Sequence, residues 1–177
     1  MLPFFENIVA FLNKEEIPYM LTGSMAMSLY TVSRATKDFD FIVNISKDDI
    51  SKIIVHFKEG YYCNEDAIRD AVRYKSMFNI IEHNSGFKVD FFVSKDSPFQ
   101  QSEFSRRSKV NMFGVDVFVI SLEDLILSKL NWIQQLQSAI QIQDIRTLTQ
   151  LEDIDWGYIH HWVDRLNLAT FDLIAER

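Results

Sequence analysis

The segment Asp38-Phe39-Asp40-Phe41-Ile42-Val43 narrows what this chain can fold into more than any other. Acid and aromatic alternate with the period of two that marks a β-strand, so Asp38 and Asp40 share one face while Phe39 and Phe41 point the other way, into a core. Two carboxylates at i and i+2 on one strand face have Cα atoms roughly 7 Å apart, close enough for their side chains to converge on hard divalent cations. The fold must therefore bury one face of this strand and leave the other accessible to charged partners. A chain of 177 residues, 47% of them hydrophobic and fifteen of them Phe, is long enough for one substantial core or one α/β unit with a helical extension.

The neighbouring sequence supplies the rest of such a unit. Phe4, Phe5, Ile8, Phe11 and Leu12 recur at helical spacing ahead of Pro18, which predicts an amphipathic helix over residues 4 to 15. Tyr19 to Leu21 reads as a short strand, and Gly23-Ser24 ends it and opens a second helix through about Tyr30, with Ser24 as a suitable N-cap. Helices are expected over residues 47 to 58 and from Glu65 to Arg73. Met77 to Glu82 and Phe87 to Val93 read as strands joined through Asn84-Ser85-Gly86, and Lys109 to Met112 with Val115 to Ile120 reads as a second hairpin around Gly114. Beyond Ser121, itself a helix cap, three apolar stripes predict helices: Leu125 to Ile133, Ile142 to Leu151 and Trp156 to Leu166. The expected architecture is α/β (α+β): a small mixed sheet with flanking helices over residues 1–120, followed by a helical C-terminal part over 121–177.

A formal charge of −7 argues against a protein whose whole surface embraces nucleic acid, because phosphate-driven binding needs a local excess of Lys and Arg. Cys63 is the only cysteine, so no intrachain disulfide can form and a reducing compartment is the natural setting. The first residues carry no basic leader, and Glu6 and Asn7 interrupt the apolar run a signal peptide would need. No stretch approaches the roughly 20 apolar residues that span a bilayer, and the expectation is a soluble cytoplasmic protein with no membrane partner.

The chemistry lies in Thr22-Gly23-Ser24 followed by Arg34-Ala35-Thr36-Lys37-Asp38-Phe39-Asp40. A glycine allows close backbone approach to a phosphate, and a serine at a helix start adds a hydroxyl beside amide donors and the positive end of the dipole. A third carboxylate would complete a metal site. Asp90 is the best candidate because it lies in a predicted strand of the same sheet, with Asp116 beside Gly114 as a rival better suited to a turn. Attack of a hydroxyl on an α-phosphorus needs charge neutralisation on the triphosphate and a deprotonated nucleophile, and two metals roughly 4 Å apart supply both. Singly, each element has an ordinary reading, a turn and cap for Gly-Ser and a solvated sheet face for Asp-x-Asp; in this order and spacing they favour the catalytic one.

At these residues the chain resembles the nucleotidyltransferase superfamily, of polymerase-beta-like fold, in which Gly-[Gly/Ser] precedes Asp-x-Asp by some ten to fifteen residues and a third strand acid follows. The Arg34-x-Thr36-x-Asp38-x-Asp40 form is similar to the antibiotic-modifying branch and to the AbiEii toxin-like branch, and the likeness continues through Ser121 to Leu130 and Gln143-Asp144-Ile145. The resemblance implies that Asp38, Asp40 and Asp90 bind a two-ion Mg2+ site, that Asp90 also helps deprotonate the acceptor hydroxyl, and that Gly23 and Ser24 contact the β- and γ-phosphates. It implies a nucleotide contact for Lys129, for which a helix-surface lysine is the competing reading. Many relatives carry an arginine near Gln143; Gln141-Ile142-Gln143 has none.

Other residues have plainer readings. Arg106-Arg107 with Lys109 is the one compact basic run, able to meet a triphosphate or to form a solvated strand edge. His160 and His161 are helix neighbours that diverge by about 100° and cannot easily share an ion. Tyr61, Tyr62 and Trp132 suit core or rim packing, Cys63 has no adjacent base, and Asp66 and Asp70 beside Arg69 and Arg73 suit surface pairing. Two functions follow: a Mg-dependent nucleotidyltransferase moving an NMP group from an NTP (nucleoside triphosphate) to a hydroxyl on a small molecule, an RNA end or a protein; or a catalytically silent nucleotide-binding or interaction module of a toxin–antitoxin-like pair.

Overall fold

The computed structural model describes residues 2–32 and 36–175 of the chain. Arg34 and Ala35, part of the motif preceding Asp38, lie outside the described residues. Seven strands form one mixed sheet, β1 (Tyr19–Thr22), β2 (Asp38–Val43), β3 (Tyr61–Cys63), β4 (Met77–Glu82), β5 (Lys88–Val93), β6 (Ser108–Met112) and β7 (Val115–Val119), in the spatial order β3-β4-β5-β2-β1-β7-β6. The strand with alternating acids and aromatics is thus central, flanked by β1 antiparallel and β5 parallel.

The aromatic alternation builds the dry face. Phe39 and Phe41 of β2 stand in register with Val89 and Phe91 of β5, and all four are buried. Helix α1 (Leu2–Lys14) lies over them, with the Phe5 ring 5.2 Å from that of Phe39 and 6.2 Å from that of Phe41. Full burial of each such ring contributes about 1.5–3 kcal/mol, and offset or tilted ring pairs add to it. Tyr61 belongs to this layer too, stacked on Phe4 and edge-on to Phe57. Helices α3 (Asp49–His56) and α4 (Glu65–Tyr74) follow, the latter capped by the Asn64 side chain, which accepts from the Ala67 amide.

Two elements were not apparent from the alternation of residues. Strand β3 is three residues long, too short to display a period, and pairs antiparallel with β4 at the sheet edge. Helix α5 (Pro98–Arg106) follows Ser97, whose hydroxyl accepts from the Gln100 amide, with Pro98 in the first turn. The second helix is shorter than the expected run through Tyr30. It runs Gly23–Met27 as α2, with Thr22 at the N-cap position, so Ser24 sits inside the first turn and is not the cap.

Past β7 the chain is helical: α6 (Leu122–Ile133), α7 (Ala139–Leu148) and α8 (Trp156–Leu166). The Ser121 hydroxyl caps α6, as its position predicts, by accepting from the Asp124 amide. This part is tied to α5 by a polar network. Arg106 donates to Glu123 at 2.7 Å and to the fully buried Asp124 at 3.1 Å, Tyr158 donates to Asp124 at 2.7 Å, and the Arg106 guanidinium lies 3.9 Å over the Tyr158 ring. Among the described residues, no helix is long and apolar enough to cross a membrane.

Candidate active site

The register of β2 against β5 assembles the site. Parallel pairing aligns Asp38 with Lys88 and Asp40 with Asp90. Residues opposite one another in a ladder project from the same face, so three carboxylates and one ammonium meet on the side of the sheet away from α1. The antiparallel pairing of β1 with β2 sets Thr22 opposite Asp40 and thereby brings the start of α2 over the Asp40 side chain.

Gly23 is required by that approach. Its φ is +65°, in the left-handed region, and a Cβ built on it would lie 2.0 Å from Asp40 Oδ2 and 2.7 Å from Asp40 Cγ. The carboxylate occupies the room a side chain would need. The glycine of Gly23-Ser24 is therefore fitted to the second acid of Asp-x-Asp, a relation that sequence order alone does not reveal.

Crowding of carboxylates perturbs the site. Burial, then the charges of Asp90 and Asp38, push the Asp40 carboxyl up to about 6, while Lys88 and Lys129 oppose the rise. Asp90 is buried; its Oδ2 accepts from Lys88 Nζ at 2.7 Å, and its Oδ1 is buried with no hydrogen-bond partner. Lys88 Nζ also stands 3.9 Å from Asp38 Oδ2. Burial disfavours its ammonium, but the hydrogen bond it donates to Asp90 and the charges of the three acids outweigh that and raise its pKa. Lys88 carries no role in the motif; its parity with Asp90 is visible in sequence, but its facing of Asp38 depends on the strand register.

An all-carboxylate donor set suits a hard divalent cation, and an orphaned, buried carboxylate oxygen is the kind of acceptor such an ion satisfies. By this test Asp38, Asp40 and Asp90 fit Mg2+ in chemistry. As the side chains stand, no group of three or more His, Cys, Asp or Glu is arranged to hold an ion among the described residues. Among the described residues, the cation that stands beside these acids is the Lys88 ammonium, 2.7 Å from Asp90 Oδ2 and 3.9 Å from Asp38 Oδ2.

The helical part closes one side. Lys129 on α6 is buried and donates to Asp144 at 2.8 Å and to Gln141 at 3.0 Å, both on α7. Its charge reaches Asp40, yet its hydrogen bonds hold it to α7, so it is neither a helix-surface lysine nor freely extended toward a ligand. Spacing in sequence does not reveal Asp144 as its partner; Gln143-Asp144-Ile145 stands out there only through the family likeness. Ser24 lines a cavity of about 420 Å3 with Met27, Val32, Ala139, Ile140, Gln143, Asp144 and Thr147, between α2 and α7.

The remaining candidates lie elsewhere. The basic run disperses: Arg106 is committed to Glu123 and Asp124, Arg107 stacks over Phe104 and Phe118, and Lys109 pairs with Asp116 at 3.0 Å. Asp116 is thereby accounted for within the β6–β7 hairpin. Arg69 pairs with Glu65 at 2.5 Å. His160 and His161 border a separate open groove on α8. Burial pushes the Cys63 thiol up to about 11, which keeps it protonated and unreactive at neutral pH.

The family model described as "Nucleotidyltransferase of unknown function (DUF6036)" matches residues 2–172. A search of curated proteins finds no match. Among solved structures, the antibiotic-resistance factor ANT(2'')-Ia superposes with a TM-score of 0.61 at 12% identity, covering 92% of this chain and 91% of that one. The lincosamide antibiotic adenylyltransferase LnuA, solved with lincomycin bound, gives 0.54 at 15% identity, covering 80% and 91%. An antigenic nucleotidyltransferase-like protein from Paracoccidioides brasiliensis gives 0.50 at 18%, covering 80% and 70%. At these identities the likeness is one of fold.

Proposed function

The chain belongs to the nucleotidyltransferase family DUF6036, and from that premise we propose that it is a Mg2+-dependent enzyme moving a nucleoside monophosphate group from a triphosphate to a hydroxyl acceptor. The observation that carries this reading is the register that brings Asp38, Asp40 and Asp90 onto one face beside Gly23, with Asp90 Oδ1 buried and unpartnered. Three acids held together at an electrostatic cost, seen in the raised Asp40 carboxyl, are the mark of a site built for a cation rather than for stability.

Divalent cations held there would neutralise the triphosphate and lower the pKa of the acceptor hydroxyl. The chain's own groups supply the rest. Gly23 and Ser24 take the β- and γ-phosphates at the mouth of α2. Asp90 helps take up the acceptor's proton as the acceptor oxygen bonds to the α-phosphorus; the bond from that phosphorus to the bridging oxygen breaks, and pyrophosphate leaves. Lys129, braced by Asp144, lends positive charge to the same face.

A small-molecule acceptor fits best. Net charge of −7 repels polyanions at long range, and the cavity of about 420 Å3 beside Ser24 is of small-molecule size. The fold neighbours that act on antibiotics agree with that class. A second reading, a catalytically silent nucleotide-binding or interaction module, is favoured by the Lys88 ammonium, which already satisfies Asp90 Oδ2 without a metal.

Pyrophosphate release, measured with each of the four triphosphates and Mg2+ across hydroxyl acceptors, separates the two. Asp38→Asn and Asp40→Asn are expected to abolish release while the protein stays folded, because neither side chain belongs to the aromatic core. Normal turnover in both variants would refute the site, and no release under any condition would leave the silent module.

A further inference from the structure

We propose that Lys88 is the resident counter-ion of the carboxylate cluster, holding Asp90 and Asp38 in the nucleotide-free protein and yielding Asp90 Oδ2 when a divalent cation enters. This rests on the metal-dependent reading above. The Lys88 ammonium lies 2.7 Å from Asp90 Oδ2 and 3.9 Å from Asp38 Oδ2, on the same sheet face as all three acids. It therefore occupies the approach to the oxygens that a metal would need. Like charges in one site exclude each other, so ammonium and metal compete.

The two partners differ in freedom. The Lys88 side chain is 31% exposed and that of Asp90 only 11%, so the lysine can swing to solvent on its flexible stem while the carboxylate stays fixed. A single donated hydrogen bond at Asp90 makes it a monodentate contact that releases in one step. The displaced ammonium has an obvious new partner in the anionic triphosphate. Metal and nucleotide binding are then coupled, each favouring the arrangement the other needs. Lys88 acts through Asp90 and is in this sense a positioning residue.

The test is a Mn2+ titration of the 177-residue chain, followed by the electron paramagnetic resonance signal of free Mn2+, with and without a non-hydrolysable triphosphate analogue. Lys88→Met is expected to tighten nucleotide-free Mn2+ binding by about tenfold or more and to shrink the further gain on adding the analogue. Lys88→Gln, of similar length and polar, should behave the same way and serves if the Met variant folds poorly. Lys88→Arg keeps the charge and should stay near wild type. Neutral variants that bind Mn2+ no more tightly than wild type would overturn the proposal alone. Absence of Mn2+ binding in every variant, with and without the analogue, would overturn it together with the metal-dependent reading.

Discussion

Glu103 offers a test of the packing between α5 and α6 that needs no substrate. Its side chain is 1% exposed, accepts one hydrogen bond from the Ser128 hydroxyl at 2.7 Å, and is pushed up to about 8 by burial and by the nearby Asp124 charge. In the unfolded chain the carboxyl ionises near its ordinary 4.5. Between the two values the unfolded state sheds a proton that the folded state must keep, so stability from this group is full below about 4.5, falls as pH rises toward 8, and is level above. At pH 7 the interval is about 2.5 units, which at about 1.4 kcal/mol each is a penalty of roughly 3 kcal/mol. Glu103→Gln stays neutral at every pH and keeps an acceptor for Ser128. It should therefore be more stable than wild type by about 3 kcal/mol at pH 7 and by almost nothing at pH 4. Urea unfolding read by circular dichroism at the two pH values, with melting about 6–12 °C higher at pH 7, measures this. A variant no more stable than wild type at pH 7, or one whose difference is the same at pH 4, would show that Glu103 is ionised in the fold.

The other expectations concern the close approach at Gly23 and the network of Arg106. Gly23→Ala places a Cβ where Asp40 Oδ2 lies and adds about 1 kcal/mol for a left-handed alanine, a modest loss in melting temperature. Displacing Asp40 by an ångström should cost about a hundredfold in pyrophosphate release, and retained turnover would mean that Asp40 has room to shift harmlessly. Arg106→Met leaves the fully buried Asp124 without its counter-charge; with Arg106 itself about a third exposed, the cost should be about 2 kcal/mol in urea unfolding. A loss under about 0.5 kcal/mol would show that the hydroxyls of Ser121 and Tyr158, which donate to the Asp124 carboxylate at 2.6 and 2.7 Å, satisfy it alone.

Where a segment carries its own period, the sequence was enough to place it. The alternation in Asp38 to Val43 defines β2 residue for residue, and Trp156 to Leu166 likewise matches α8. Short or weakly patterned elements escape: β3 has three residues, and α5 has only two buried side chains, one of them Glu103. Within the site, the faces of Asp38, Asp40 and Asp90 follow from strand parity. Which residue lies opposite which does not, and that is why the roles of Lys88 and of the Gly23–Asp40 approach waited for the register. The Arg106-Arg107-Lys109 run looks like a patch in one dimension, but successive residues at a helix–strand junction point to different partners.

The placement of β1 bears on how the chain comes together. It lies between β2 and β7, and its parallel partner residues Leu21 and Val119 are separated by roughly a hundred positions. Closing so long a loop yields no contact until it is complete, and topologies dominated by such pairings fold slowly. On an emerging chain, β1 can pair with β2 early, yet its other edge stays bare until β7 has been made. During synthesis that bare edge is the place where a neighbouring nascent chain can add a strand, which makes the interval before β7 arrives the period of greatest risk from aggregation.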